Sequence, residues 1–423
     1  MLLKTVFTNS AIQVINFGGS IAAARLLGPE GRGHLALVLL YPQLIANLLF
    51  GGLDRAASVL GGTRRLSSPV YTAGSLSVLL AIPAVLIAYV VISSKVSDPT
   101  LRGWSYLYCA YVPALYFFSL MVALFAGTGD FSRYNLARLS YYLAYAGLLV
   151  VLIILPFSRL GVFVTANLGA VYIAFAISLG LMLASGITPK SSPLVAVRRD
   201  ATALIRSAGV FALPVGMAHV SANLYQILLS YLADASALGL FVVYFSYGRL
   251  VSGVAGAINV RAFQSSIAGQ DGGFARVFRM SAVIYVLLAA LLFVAAPLAI
   301  RLLYGEGFVG DAGVARLLIL SAVCFFLSEM LAEFYKGKEK VAADVWSQVL
   351  YCSVVAVLGF WLVPSHGIGG MAAAVVVADA ARLMLLATLA PNVSGVSMGQ
   401  LVRFSRQDLQ DVAHGVKRAL VPR

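Results

Sequence analysis

Arg249 is the residue in this sequence hardest to reconcile with its surroundings. It lies about eleven residues into an apolar run, where a charge at mid-bilayer depth costs at least about 2.5–3.5 kcal/mol unless it meets water or a partner. No acid shares its run. Such a guanidinium either donates to a phosphate-like anion or pairs with a carboxylate from another segment. His219 sits at similar depth in the preceding run; it can carry a proton near neutral pH or hold an ordinary buried hydrogen bond. Two polar stripes accompany these residues. Asn9, Gln13, Asn16 and Ser20 are spaced four, three and four apart, and His219, Asn223 and Gln226 four and three, so each set shares one helix face. Amide-bearing faces suit a hydroxyl-rich ligand in a wet cleft, and they also suit hydrogen bonding between helices.

The acids cluster later. Glu329 and Glu333 are four apart, and with Asp379 they are the candidates for a proton or Na⁺ site. Pairing with Arg382 or Lys336 is the competing role; Asp379 and Arg382, three apart, are spaced to neutralise each other. Arg25, Arg55 and Arg261 stand at the ends of apolar runs, where they either line the mouths of a cavity or snorkel to the interface.

The elements that position these groups must be helices in lipid. The chain is 61% hydrophobic and 11% charged, whereas soluble domains are about a quarter charged. Twelve apolar runs have the length that crosses a bilayer as helix: 6–26, 34–53, 71–92, 104–126, 136–155, 161–184, 208–232, 238–258, 280–303, 314–335, 341–363 and 368–390. The first six lie over the second six. Gly33 falls on Gly239, Tyr41 on Tyr247, Leu44 on Leu250, Arg55-Ala56 on Arg261-Ala262, and further on Pro156 and Gly161 on Pro364 and Gly369. The expected fold is therefore an all-α polytopic membrane protein. Its twelve spans form two six-helix bundles related by a pseudo-twofold axis along the membrane normal. The bundles are expected at 1–185 and 208–390, with a cytoplasmic linker at 186–207 carrying an interfacial helix, and a cytoplasmic tail at 391–423. Roughly three times as many Lys and Arg fall on one side of this plan as on the other, which puts both termini in the cytoplasm.

The net charge of +14 follows from that bias, and no basic stripe interleaves with stacking aromatics, so nucleic acid is not an expected partner. Cys109, Cys324 and Cys352 lie in apolar runs without ligand-like spacing and read as packing residues; neither a metal nor a cofactor is expected. The first apolar run lacks a small-residue cleavage site, and Leu420-Val421-Pro422-Arg423 reads as the remnant of a thrombin-cleavable tag.

The stretch Ala24-Arg25-Leu26-Leu27-Gly28-Pro29-Glu30-Gly31-Arg32-Gly33 resembles the end of the first helix in the polysaccharide-transporter family. That family holds the O-antigen and exopolysaccharide flippases, within the multidrug/oligosaccharidyl-lipid/polysaccharide (MOP) exporter superfamily. Gly127-Thr-Gly-Asp-Phe-Ser-Arg-Tyr-Asn135, Leu303-Tyr-Gly-Glu-Gly-Phe308 and Val363-Pro-Ser-His-Gly-Ile-Gly-Gly370 are further matching pieces. The resemblance implies a V-shaped pair of bundles that moves lipid-linked oligosaccharide from the inner to the outer leaflet of the bacterial cytoplasmic membrane by alternating access. It implies a polyprenyl diphosphate carrier as cargo, surrounding membrane lipids, an H⁺ or Na⁺ gradient, and a polysaccharide polymerase as partner. The related lipid II flippases carry arginines inside the first helix, where this chain has Gln13 and Asn16.

Two other readings compete. A multidrug exporter of the same fold would place acids in its cavity, but the first half has no mid-span carboxylate, and Asp54 lies at a helix end. A membrane enzyme that polymerises or ligates sugars would need a long external loop or a soluble domain, and would leave the repeat unexplained. No phosphate-binding Gly-x-x-x-x-Gly-Lys motif occurs.

Overall fold

The computed structural model describes residues 2–62, 66–156, 158–185, 194–251, 271–338, 340–394 and 397–402. These are helical almost throughout. In chain order the helices are α1 (Leu2–Phe50), α2 (Leu53–Gly62), α3 (Pro69–Lys95), α4 (Pro99–Tyr108), α5 (Tyr111–Gly127), α6 (Phe131–Ile153), α7 (Arg159–Ala184), α8 (Leu194–Leu232), α9 (Ala235–Gly248), α10 (Asp271–Tyr304), α11 (Ala312–Gly337), α12 (Val341–Ser394) and α13 (Met398–Val402), with short 3₁₀ turns at Arg249–Val251 and Glu306–Phe308. Among the described residues nine helical stretches are long and apolar enough to cross a membrane. The chain is a polytopic all-α membrane protein.

Nine stretches account for eleven of the twelve expected spans because two of them are double; the eighth span is the shorter apolar helix α9 with its 3₁₀ turn. Segments of 44 and 52 residues would run far beyond the ~30 Å hydrocarbon core at 1.5 Å per residue. Each is broken once. Gly28 (φ 68°, ψ −179°) divides α1 and Gly367 (φ 54°, ψ −136°) divides α12, a backbone that a side chain would strain. The break at Gly28 falls between the first two expected spans, and that at Gly367 between the last two. The fourth span is split into α4 and α5 at Cys109-Ala110. Pro113 explains the split: it has no N–H to give to the Cys109 carbonyl, which takes the amide of Val112 instead, at 3.1 Å. Span 8 is described only as α9 and its 3₁₀ turn; 252–258 lie outside the described residues.

Helix starts follow from side chains. Asp98 accepts from the amides of Thr100 and Leu101 (2.6 and 3.1 Å), with Pro99 at the first helical position. These bonds hold its carboxyl below the usual carboxylate range. Asp130, Ser158 and Asp234 cap α6, α7 and α9 in the same way.

The chain divides into two compact units, Met1–Ile227 and Leu228–Arg423. The first is centred on an apolar cluster including Val38, Ala56, Leu120, Phe163 and Val171, with α2 seated on α5. Gly127 makes that seat, because a Cβ there would fall 2.1 Å from the Ser58 carbonyl oxygen. The second unit has a cluster of Phe274, Tyr285, Met330, Phe334 and Leu386, with α11 packed along α12.

The linker differs from expectation. Residues 194–207 do not form a separate helix; they are continuous with the seventh span in the 39-residue α8. The division between units falls inside that helix, after Ile227. In the tail, the amphipathic piece with Leu409, Val412 and Val416 lies outside the described residues.

Candidate functional site

A cavity of about 440 Å³ opens inside the first unit between α2, α5 and α6. Its polar lining is Asp54, Arg55 and Ser58 from α2, Tyr111 and Ser119 from α5, and Tyr134, Arg138, Tyr141 and Tyr142 from α6. Phe118, Leu115 and Val122 complete the apolar wall.

Local sequence puts these groups there. Gly51 and Gly52 both take positive φ (46° and 78°), ending α1 and restarting the chain as α2. A Cβ on Gly52 would lie 2.6 Å from that of Phe211, so the break is pressed against α8. Asp54 and Arg55 thus occupy the first turn of α2. Asp54 is half-buried, and its Oδ1 is shielded from solvent without a hydrogen-bond partner in the structure. Arg55 is exposed and lines the cavity. On α6, Tyr134, Arg138 and Tyr141 follow at four and three residues and share a face. Arg138 donates to Asn9 Oδ1 at 3.0 Å and to the Tyr134 hydroxyl at 3.1 Å, and its guanidinium lies 5.0 Å from the centre of the Tyr134 ring.

Behind the wall, neutral groups fix the tyrosines. Tyr141 donates to Asn167 Oδ1 (2.7 Å), Tyr108 donates to the same oxygen (3.3 Å), and Gln43 donates to Tyr108 (2.8 Å). This chain ties α6, α7, α4 and α1 together. The resulting cavity offers two guanidiniums for an anion and four phenol rings whose faces and hydroxyls suit a sugar.

The polar stripes meet mixed fates. On α1, Gln13 and Asn16 are exposed, Ser20 is half-buried with a bare hydroxyl, and Asn9 holds Arg138. Arg25 is exposed at the end of the first limb of α1. On α8, Asn223 donates to the His219 carbonyl (2.8 Å) and Gln226 to the Tyr225 hydroxyl (2.9 Å), so both amides make local bonds. His219 is half-buried. Arg261 lies outside the described residues.

In the second unit the expected charges are brought together with a further one, Asp344. Arg382, almost fully buried, pairs with Glu329 (2.7 Å) and with Asp344 (3.1 Å), and donates to Ser347 Oγ (3.2 Å). Lys336 bridges Glu333 (3.0 Å) and Asp344 (3.2 Å). The structural pairings expected of Glu329 and Glu333 are therefore present. Asp379 does not take Arg382 within ion-pair distance; its Oδ2 accepts from Ser321 at 2.5 Å and its Oδ1 is buried and bare. The partners that win Arg382 come from a neighbouring helix and from the other limb of α12, where two carboxylates converge on it.

Arg249 caps the end of α9, half-buried, with its guanidinium 3.7 Å from the centre of the Phe325 ring and 4.5 Å from that of Phe245. Among the described residues no carboxylate lies within ion-pair distance of it. Arg382 approaches the same Phe325 ring at 5.8 Å.

Two groups central to this geometry, Arg138 and Asp344, carry little signal in the sequence. Arg138 lies near the start of the 136–155 run, and the Tyr134–Arg138–Tyr141 spacing is the signal that marks its face. Asp344 stood near the start of an apolar run and gave no signal, because its partners are on other segments.

The sequence matches no protein-family model and no curated protein. The fold, however, matches solved structures along its length. A lipid II flippase, MurJ, in an inward closed conformation superposes with a TM-score of 0.75 at 9% identity, covering 100% of this chain and 94% of that one. An inward-facing multidrug resistance MATE family transporter of the MOP superfamily gives 0.68 at 14%, covering 98% and 99%. A MOP superfamily transporter from Pyrococcus furiosus, described as having a binding pocket of reverse polarity, gives 0.66 at 14%, covering 91% and 92%. This chain has the fold of the MOP superfamily transporters.

Proposed function

We propose that this protein is a flippase that carries a polyprenyl-diphosphate-linked oligosaccharide from the inner to the outer leaflet of a bacterial cytoplasmic membrane by alternating access. The observation that carries this reading is the first-unit cavity, where Arg55 and Arg138 stand among Tyr111, Tyr134, Tyr141 and Tyr142. Guanidiniums bind the diphosphate through paired N–H donors. Tyrosines pack on sugar rings while their hydroxyls exchange hydrogen bonds, and the apolar tail stays in lipid. Both the lipid II flippase and the MATE transporters share this fold, so the cargo has to be argued from the cavity. Two basic groups against one acid favour an anion. Asp54 is the feature that a cationic drug would use, and it is the basis of the competing antiporter reading.

Ion coupling falls to Asp379 in this reading. Glu329 and Glu333 hold ion pairs, whereas Asp379 keeps a bare oxygen. His219 is the alternative carrier. Both termini lie in the cytoplasm, and a polymerase receives the delivered glycan.

Calorimetric titration of the detergent-solubilised protein with a short-chain polyprenyl diphosphate sugar tests the cargo. Binding should weaken about tenfold or more in Arg138→Gln, the loss of about 1.4 kcal/mol or more expected for a charged hydrogen bond. Tight binding of a cationic dye that is lost in Asp54→Asn, with no binding of the diphosphate, would establish the antiporter reading instead.

A further inference from the structure

The start of α3 lacks a cap of its own. Ser68 stands at the N-cap position but makes no side-chain bond to the helix, and Pro69 follows it. The carboxylate that sits at this helix start comes from 132 residues away. Asp200, on the cytoplasmic part of α8, accepts from the amide of Ser68 (2.7 Å), the amide of Ser67 (2.7 Å) and the Ser67 hydroxyl (3.1 Å). Its side chain is almost wholly buried, with relative exposure of 1%. A carboxylate at a helix N-terminus meets both the unsatisfied amides and the positive end of the helix dipole.

The flanking turns of α8 agree with this docking. Leu204 and Ala208, four and eight residues on, belong to the core of the first unit, and Ala201 packs against it. Arg199 adds a bond to Ser67 Oγ at 3.0 Å. The opposite face carries Arg198, Thr202 and Arg206, all exposed. The segment is therefore amphipathic in the ordinary sense, but its buried face centres on one charge.

We infer that Asp200 is a clasp that makes the linker helix a fixed part of the first unit, so that this connecting segment stays bound to the start of α3 rather than swinging free between units. A buried carboxylate with three donors has no comparable place to go if the helix lifts: the two amides and the carboxylate would all be left to find new partners. The inference does not rest on which cargo is carried.

Hydrogen exchange of the full-length protein in lipid nanodiscs, at pH 6 and at pH 8, tests it directly. The Ser67 and Ser68 amides should exchange slowly and as a single population under both conditions. In Asp200→Ala they should exchange at least about tenfold faster, and in Asp200→Asn, which keeps one carbonyl acceptor, part of the protection should return. Exchange of these amides at the unprotected rate in the wild type, or two populations that interconvert, would show that the clasp opens and would overturn the inference. Asp200→Ala with unchanged protection would overturn it equally. No transport is measured, so failure of the flippase reading would leave this result standing.

Discussion

In the first unit, Gln43, Tyr108, Asn167 and Tyr141 link four helices with neutral hydrogen bonds; in the second, Asp344, Glu329, Lys336 and Arg382 link α11 and both limbs of α12 with formal charges. Both networks satisfy polar groups that an apolar surrounding would otherwise penalise. They differ in what happens when a member is lost. A missing phenol leaves one or two neutral groups unpaired, whereas a missing guanidinium leaves Glu329 without its cation beside a buried Asp344 that keeps only Lys336. The first unit can therefore vary its lining residues at low cost to the fold. The second is held to its charges. This contrast suits a division in which the first unit carries the ligand cavity and the second a rigid ionic frame with one acid, Asp379, left over.

The largest expected effect follows from that difference. Arg382→Ala should destabilise the protein by about 3–5 kcal/mol, because it takes the cation from Glu329 and leaves the buried Asp344 with Lys336 alone; urea unfolding in detergent would read it. Asp344→Asn should cost less, about 1.5–3 kcal/mol, since Arg382 keeps Glu329 and Lys336 keeps Glu333. Tyr108→Phe in the first unit should cost only about 0.5–1.5 kcal/mol, with Asn167 still held by Tyr141. If Tyr108→Phe proved as damaging as Arg382→Ala, the contrast between the units would fail. The smallest effect is expected at Asp98→Ala. Its carboxyl is held below the usual range by the Leu101 and Thr100 amides, so its contribution is present above the ordinary carboxylate pKa and is lost as pH falls through the folded one. A wild-type-minus-variant difference that grew on acidification would contradict this.

How much of this was legible in the sequence depends on the range of the interaction. Spans were readable because their apolar runs are contiguous, and Asp98, Asp130, Ser158 and Asp234 mark helix starts within a few residues. Glu333 found Lys336, three residues away, as the spacing suggested. Asp379 and Arg382 have the same spacing and do not pair, because acids from other segments reach Arg382 first. Asp200 and Asp344 give little sequence signal for the same reason: Ser68 lies 132 residues from Asp200, and Asp344 takes its cations from another helix and from the far limb of its own, with Arg382 38 residues away. Arg138 was a different failure. Its aromatic neighbours share its face, but a basic residue at the start of the 136–155 run is ordinarily one that snorkels to the interface.

The central claim is that the cavity holding Arg55 and Arg138 serves movement of a diphosphate-linked sugar across the bilayer. The most direct test is a proteoliposome assay with a fluorescent short-chain polyprenyl diphosphate sugar, following its arrival in the opposite leaflet by quenching. The wild type should move the probe. Arg55→Ala and Arg138→Ala should each slow it by about tenfold or more, the equivalent of about 1.4 kcal/mol, at unchanged protein level. A wild-type protein that leaves the probe in place, or variants that move it at the wild-type rate, would contradict the account.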